Sequence, residues 1–177
     1  VLIITFAWSF NPFYNVIILQ VIWAIGISMI LLGLIISLPV NTIIAIGAII
    51  ILGHNLLDIP GIANSLKGHF MSDLVFDAEF AYYNFTPNHG IMVVYAFLPW
   101  TGLMFLGYGF GQLYQQGYDA VKRQSLLMKL GIAISLFFIV LRVINNYGGP
   151  YPWSGQPRGN MITCLSFDNL NKYPPSL

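Results

Sequence analysis

Apolar positions dominate the first 57 residues, which hold no Asp, Glu, Lys or Arg, so no charged face interrupts them. A crossing of the hydrocarbon core takes about 20 mostly apolar residues, and helices apolar on every side have lipid or other helices as neighbours. Val1 to Trp8 reads as the tail of a helix, closed by Ser9-Phe10-Asn11-Pro12. Complete spans are expected at about 16–38, 42–57, 91–114 and 126–144, with Pro39-Val40-Asn41 as a short turn between the first two. The ending Pro174-Pro175-Ser176-Leu177 resembles the threshold of another helix, because proline suits a first helical turn. The expected fold class is therefore all-α: a polytopic transmembrane helical bundle of four complete spans, a partial N-terminal helix and the start of another at the C-terminus. The whole of 1–177 reads as a single membrane domain, a fragment cut at both ends.

Between the spans lie two polar stretches, expected as loops. Residues 58–90 hold Lys67, Asp73, Asp77 and Glu79 among aromatics, and a short interfacial helix is expected around 65–80. Residues 145–173 are rich in Gly, Pro and Asn. Within the 91–114 run, Pro99 is a helix-breaking signal, and Gly107 and Gly111, four apart, predict close helix packing. Asn84-Phe85-Thr86 has the form of a glycosylation sequon, but Pro87 follows it and the motif is common by chance.

Composition supports the bilayer. Charged residues make up 7% of 177 and hydrophobic ones 57%, against roughly 25% charged in a soluble domain. The net charge of +1 with scattered basic residues excludes nucleic acid as a partner. One cysteine, Cys164, excludes an internal disulfide and reads as a small apolar residue. No metal site is expected, because His69 and His89 lack ligand spacing relative to His54.

Lys122, Arg123 and Lys129 form the densest basic group, which the positive-inside rule places in the cytoplasm. Alternation then puts the turn at Asn11, the 58–90 loop and the 145–173 loop outside. Polar residues in or beside apolar helices gather toward that outer side: Asn11, Gln20, Trp23, His54, Asn55, Asp58, Trp100, Arg142, Asn145 and Asn146. Such groups are expensive at membrane depth unless paired, which makes them functional candidates. His54 and Asp58, four apart, would share a helix face, and a carboxylate beside an imidazole orients a general base. An ordinary interfacial helix end explains the pair equally well. Arg142 either snorkels to the interface or pairs with Asp58, Asp168 or an anionic substrate group. Trp8, Trp23, Trp100 and Trp153 suit an aromatic belt, with Trp23 too deep for it.

Several strings occur in a familiar order: Leu19-Gln20-Val21-Ile22-Trp23-Ala24-Ile25-Gly26, Gly53-His54-Asn55-Leu56-Leu57-Asp58, Leu98-Pro99-Trp100-Thr101-Gly102-Leu103-Met104 and Lys172-Tyr173-Pro174-Pro175-Ser176-Leu177. With them the chain resembles bacterial membrane proteins grouped with the catalytic domain of heparan-alpha-glucosaminide N-acetyltransferase. The resemblance implies a transmembrane acyltransferase-like fold, multi-pass in a bacterial inner membrane. It implies acetyl-CoA or another acyl-CoA as donor, and a glycan or amino-sugar acceptor on the far side. It also implies an upstream segment whose Asp and His belong to the active centre. Asp168 departs from the pattern, standing where relatives tend to have an apolar residue.

On this reading His54, Asp58 and Arg142 are the catalytic candidates. Asn11, Gln20, Trp23, Asn55, Trp100, Asn145 and Lys172 would bind substrate, with the bilayer and a second copy of the chain as partners. His54 would deprotonate the acceptor, Asp58 would orient it, and Arg142, Gln20 and Asn145 would hold the donor or the oxyanion. A transporter or a non-catalytic membrane protein is the alternative, although transporters commonly bind at the midplane between repeats, and here the midplanes are apolar and no repeat is evident.

Overall fold

The computed structural model describes the chain except residues 59–61, 63–64, 66–67, 77, 79, 146, 148–152, 156, 158 and 169–177. The order of elements is α1 (Leu2–Ser9), β1 (Val16–Leu19), α2 (Val21–Ile35), α3 (Val40–Gly53) with a 3-10 turn at His54–Asp58, α4 (Phe70–Val75), β2 (Ala81–Thr86), β3 (His89–Val93), α5 (Leu98–Gly111) with a 3-10 turn at Gln112–Tyr114, α6 (Ala120–Ile144) and α7 (Asn160–Asp168).

This corrects the all-α bundle of four complete spans. The three strands form one mixed sheet in the order β1-β3-β2. β1 runs parallel to β3, with Val16 opposite Gly90 and Leu19 opposite Val93. β2 runs antiparallel to β3, with Ala81 opposite Val93 and Asn84 opposite Gly90, and a bulge between Asn84 and Thr86. The expected span at 16–38 is thus a strand, a break at Gln20 and a helix, while that at 91–114 starts as a strand and becomes helical at Leu98. A continuous apolar run hides whether its period is 2 or 3.6. The β-branched Val16-Ile17-Ile18 settles as a strand once β3 supplies its hydrogen bonds. Pro99 opens a helix instead of breaking one, since it lies in the first turn of α5, where its missing N–H costs nothing.

Among the described residues, two stretches are long and apolar enough to cross a membrane, Val40–Leu57 and Ala120–Ile144. At 1.5 Å per residue α2, with 15 residues, reaches only about 22 Å. The alternation that assigned each loop to a side presupposed four crossings, so it no longer stands.

The core sits where α2, α3 and α5 meet the sheet. α3 and α5 pack antiparallel: a Cβ on Gly47 would lie 2.9 Å from the Gly102 carbonyl oxygen and from Phe105, and one on Gly102 would lie 2.8 Å from Ile50. Ile44 closes on Gly109 in the same way. The packing glycines are therefore Gly47, Gly102 and Gly109. Gly107 and Gly111, the expected pair, have open space where a side chain would go, because they lie on another side of the helix from the α3 contact. α2 runs alongside α5, with the buried hydroxyls of Ser28 and Thr101 2.9 Å apart. Two apolar clusters join helices to sheet: Leu19, Ala78, Val93 and Ala96 in one, and Ala24, Val94 and Tyr95 in the other.

Candidate functional site

The site is built from helix ends. β1 leads into α2 through Gln20, whose carbonyl receives the N–H groups of Trp23 at 2.8 Å and Ala24 at 3.2 Å. The Leu19 carbonyl receives the N–H groups of Val94 at 3.1 Å and Tyr95 at 3.2 Å, fixing the approach to α5 beside the start of α2. Because α3 runs antiparallel to α5, with Ile50 and Ile51 at the level of Gly102, the carboxyl end of α3 reaches the amino end of α5. His54 and Asn55 lie there, 7% and 3% exposed. The amino ends of α2 and α5 and the carboxyl end of α3 thus share one end of the packed helices.

The imidazole of His54 is oriented by its own helix. Its Nδ1 lies 2.7 Å from the Ile51 carbonyl oxygen. A carbonyl only accepts, so the bond assigns the proton to Nδ1 and makes Nε2 the basic nitrogen of the neutral ring. Asp58 was expected to do this from one turn away. Residues 54–58 form a 3-10 turn, in which residues three apart eclipse, so position 58 is rotated about 120° from position 54. The side chain of Asp58 lies outside the described residues.

The other expected residues divide into two groups. The ring of Trp23 packs on the Leu19 and Val93 cluster, and its Nε1 is buried without a hydrogen-bond acceptor. Trp100 packs on Ala24, Val94 and Tyr95, with its ring centroid 5.6 Å from that of Tyr95. Both lie in the first turn of their helices, α2 and α5, at the same end as His54. Asn11 instead builds a turn: its Oδ1 accepts from the Phe13 N–H at 2.9 Å and its Nδ2 donates to Asn15 at 2.7 Å, while Asn15 donates to the Asn88 carbonyl at 2.9 Å.

Arg142 lies in the last turn of α6. It donates to the carbonyls of Phe167 at 2.6 Å and Ser166 at 3.0 Å, with its guanidinium 5.5 Å above the Phe167 ring. These carbonyls belong to the end of α7, where a cation satisfies acceptors that the helix itself leaves open. Asn145 terminates α6 in a left-handed conformation, φ 55°, a geometry that asparagine tolerates. Its side chain exchanges two bonds with the backbone of Trp153, at 2.8 and 2.9 Å. Tyr147 donates to the Leu52 carbonyl, which ties this corner to the end of α3. Lys172 and Asn146 lie outside the described residues. Cys164, read as a small apolar residue, is exposed. Among the described residues no three His, Cys, Asp or Glu side chains gather as a metal site would require.

Sequence reasoning passed over one buried acid. Asp73 is buried in α4 and accepts a hydrogen bond from the Tyr83 hydroxyl. Tyr83 is half-buried, and its pKa is pushed up to about 12 by desolvation first, then by the bond to Asp73 and the charge of Asp73. Next to it the hydroxyl of Ser72 is buried without a partner. The ten-residue separation of Asp73 and Tyr83 carries no helical or strand period, so only folding reveals the pair.

These features describe a protein with membrane-compatible helices and an oriented histidine at a junction of helix ends. The chain belongs to the family described as heparan-alpha-glucosaminide N-acetyltransferase, catalytic, whose model matches residues 1–142. It is thus a member of an acetyltransferase-like family, and membership together with two apolar helices points to a membrane protein. No curated protein matches the chain, and no solved structure does.

Proposed function

We propose that the chain is part of a membrane-embedded acetyltransferase that moves an acetyl group from acetyl-CoA to an amine or hydroxyl of an extracytoplasmic amino sugar, in a bacterial plasma membrane. The observation that carries this reading is the bond from His54 Nδ1 to the Ile51 carbonyl, in a chain of this family. With the ring proton on Nδ1, Nε2 takes the acceptor's proton as the amine or hydroxyl attacks the acetyl carbonyl, and the thioester C–S bond breaks to release CoA as its thiol.

Attack develops negative charge on the carbonyl oxygen. The amino ends of α2 and α5, at the same end as His54, contribute positive helix-dipole potential and backbone N–H groups there. Gln20 and Asn55 supply side-chain amides beside them. Arg142 and Asn145 act as positioning residues, because their bonds to Phe167, Ser166 and Trp153 hold the segment after α6 against the end of α3.

In the full-length protein, His54→Ala is expected to lower transfer from labelled acetyl-CoA to glucosamine by about 10²-fold or more, the usual contribution of a positioned base, with expression intact. Turnover equal to the unsubstituted protein would remove His54 from the mechanism.

A further inference from the structure

The opposite end of the molecule carries a second constructed feature. A groove of about 510 Å³ is lined by Ala120, Arg123, Gln124, Leu127 and Met128. Spaced by three and four, these residues occupy one face of α6, polar in its first turn and apolar one turn further on. The Arg123 guanidinium stands 5.2 Å from the centroid of the Tyr114 ring. That stacking braces the side chain while its N–H edge stays available for an anion. Asp119, the nearest acid in sequence, is used as a cap: its Oδ1 accepts the Val121 N–H at 2.8 Å. Lys122 projects from the other side of α6, and Lys129 follows on that side two turns, about 10 Å, further along, so the first three turns of this apolar helix carry three cations.

We propose that this groove binds the headgroup phosphate of an anionic phospholipid, with Arg123 and Gln124 on the phosphate and an acyl chain along Leu127 and Met128. A phospholipid is the occupant because its two halves match the groove in order. The phosphodiester meets the guanidinium fork, and the chain continues down a helix that buries none of its residues and is apolar enough to cross a bilayer. The proposal rests on α6 lying in a membrane and is independent of acetyl transfer.

The test uses the full-length protein in nanodiscs of phosphatidylcholine alone or mixed with phosphatidylglycerol, with retained lipids counted by native mass spectrometry. Phosphatidylglycerol is expected to be enriched on the protein. Arg123→Gln should lower its retention about fivefold, the worth of one basic residue at an anionic surface, whereas Arg123→Lys keeps most of it. Gln124→Glu leaves the Tyr114 stacking in place and should lower retention by repulsion. Equal retention of the two lipids, or a preference that survives both Arg123→Gln and Gln124→Glu, overturns the proposal. Displacement of the lipid by millimolar acetyl-CoA or inorganic phosphate would assign the groove to a soluble phosphate and overturn the lipid. Failure to enter the nanodisc would overturn the membrane reading along with it, while loss of acetyl transfer alone would leave the lipid result standing.

Discussion

α3 and α6 are built from the same kind of residue and live in different surroundings. Both belong to stretches apolar enough to cross a membrane. α3 is fitted against α5 through Gly47, Gly102 and Gly109, with Ile43 fully buried between neighbours. α6 buries nothing along 25 residues and is tied to the rest at its carboxyl corner by Tyr147 and Leu52. Hydropathy alone does not separate the two, because lipid and protein interior are equally apolar solvents for a side chain. What separates them is small residues at a spacing that lets two backbones approach. Chemistry follows the same division: the oriented histidine stands at the end of the packed helix, and the basic groove at the start of the bare one.

The largest expected contrast comes from matched isoleucines. Ile43→Ala should cost about 2–5 kcal/mol by leaving a cavity, whereas Ile134→Ala, at a site 65% exposed, should stay within about 0.5 kcal/mol. Thermal unfolding of both variants in one detergent measures the difference. Equal shifts would mean that α6 is covered in solution by something as well packed as α5.

Matched glycines give a smaller contrast with opposite signs. Gly47→Ala places a methyl group 2.9 Å from the Gly102 carbonyl oxygen. The overpacking costs about 1–3 kcal/mol, against a gain of about 1 kcal/mol in helix propensity. Gly131→Ala meets nothing within 4 Å and should keep that gain, raising the melting temperature slightly. A stabilising Gly47→Ala would break the close approach of α3 and α5.

The smallest expected effect sharpens the packed side through the sheet. Tyr83 has a folded pKa raised from 10.0 to about 12. The folded state therefore holds this proton more tightly than the unfolded one. The stability it contributes is fully present below pH 10 and is lost as pH rises through about 12. The slope of stability against pH in that window should flatten in Tyr83→Phe, as read by equilibrium unfolding. An unchanged slope would detach Tyr83 from Asp73.

Parts of this were legible in the residues alone. The family resemblance rests on strings around Gln20, His54, Trp100 and Lys172, and the family match covers the first three. The basic cluster at 122–129 and the apolar run after it marked α6. The strands were illegible, because Val16 to Leu19 is too short and too uniformly apolar to display a period, while Ala81 to Thr86 and His89 to Val93 are short runs beside polar loop residues. Pro99 did carry a usable signal: read as a first-turn residue, it would have ended the supposed 91–114 span at its strand. The buried acid was hidden among loop charges, since nothing at position 73 announces a partner at 83.

The sequence by itself determined the solvent this protein is made for and the family to which it belongs, because charge content and residue strings are properties of the chain. The tertiary structure alone decided which apolar runs became strands, which glycines took the contact, and which nitrogen of His54 is basic. Each of those depends on a partner distant along the chain or on the local turn. A β ladder needs the opposite strand, a close helix crossing needs the facing side chain, and a tautomer needs the carbonyl that accepts its proton.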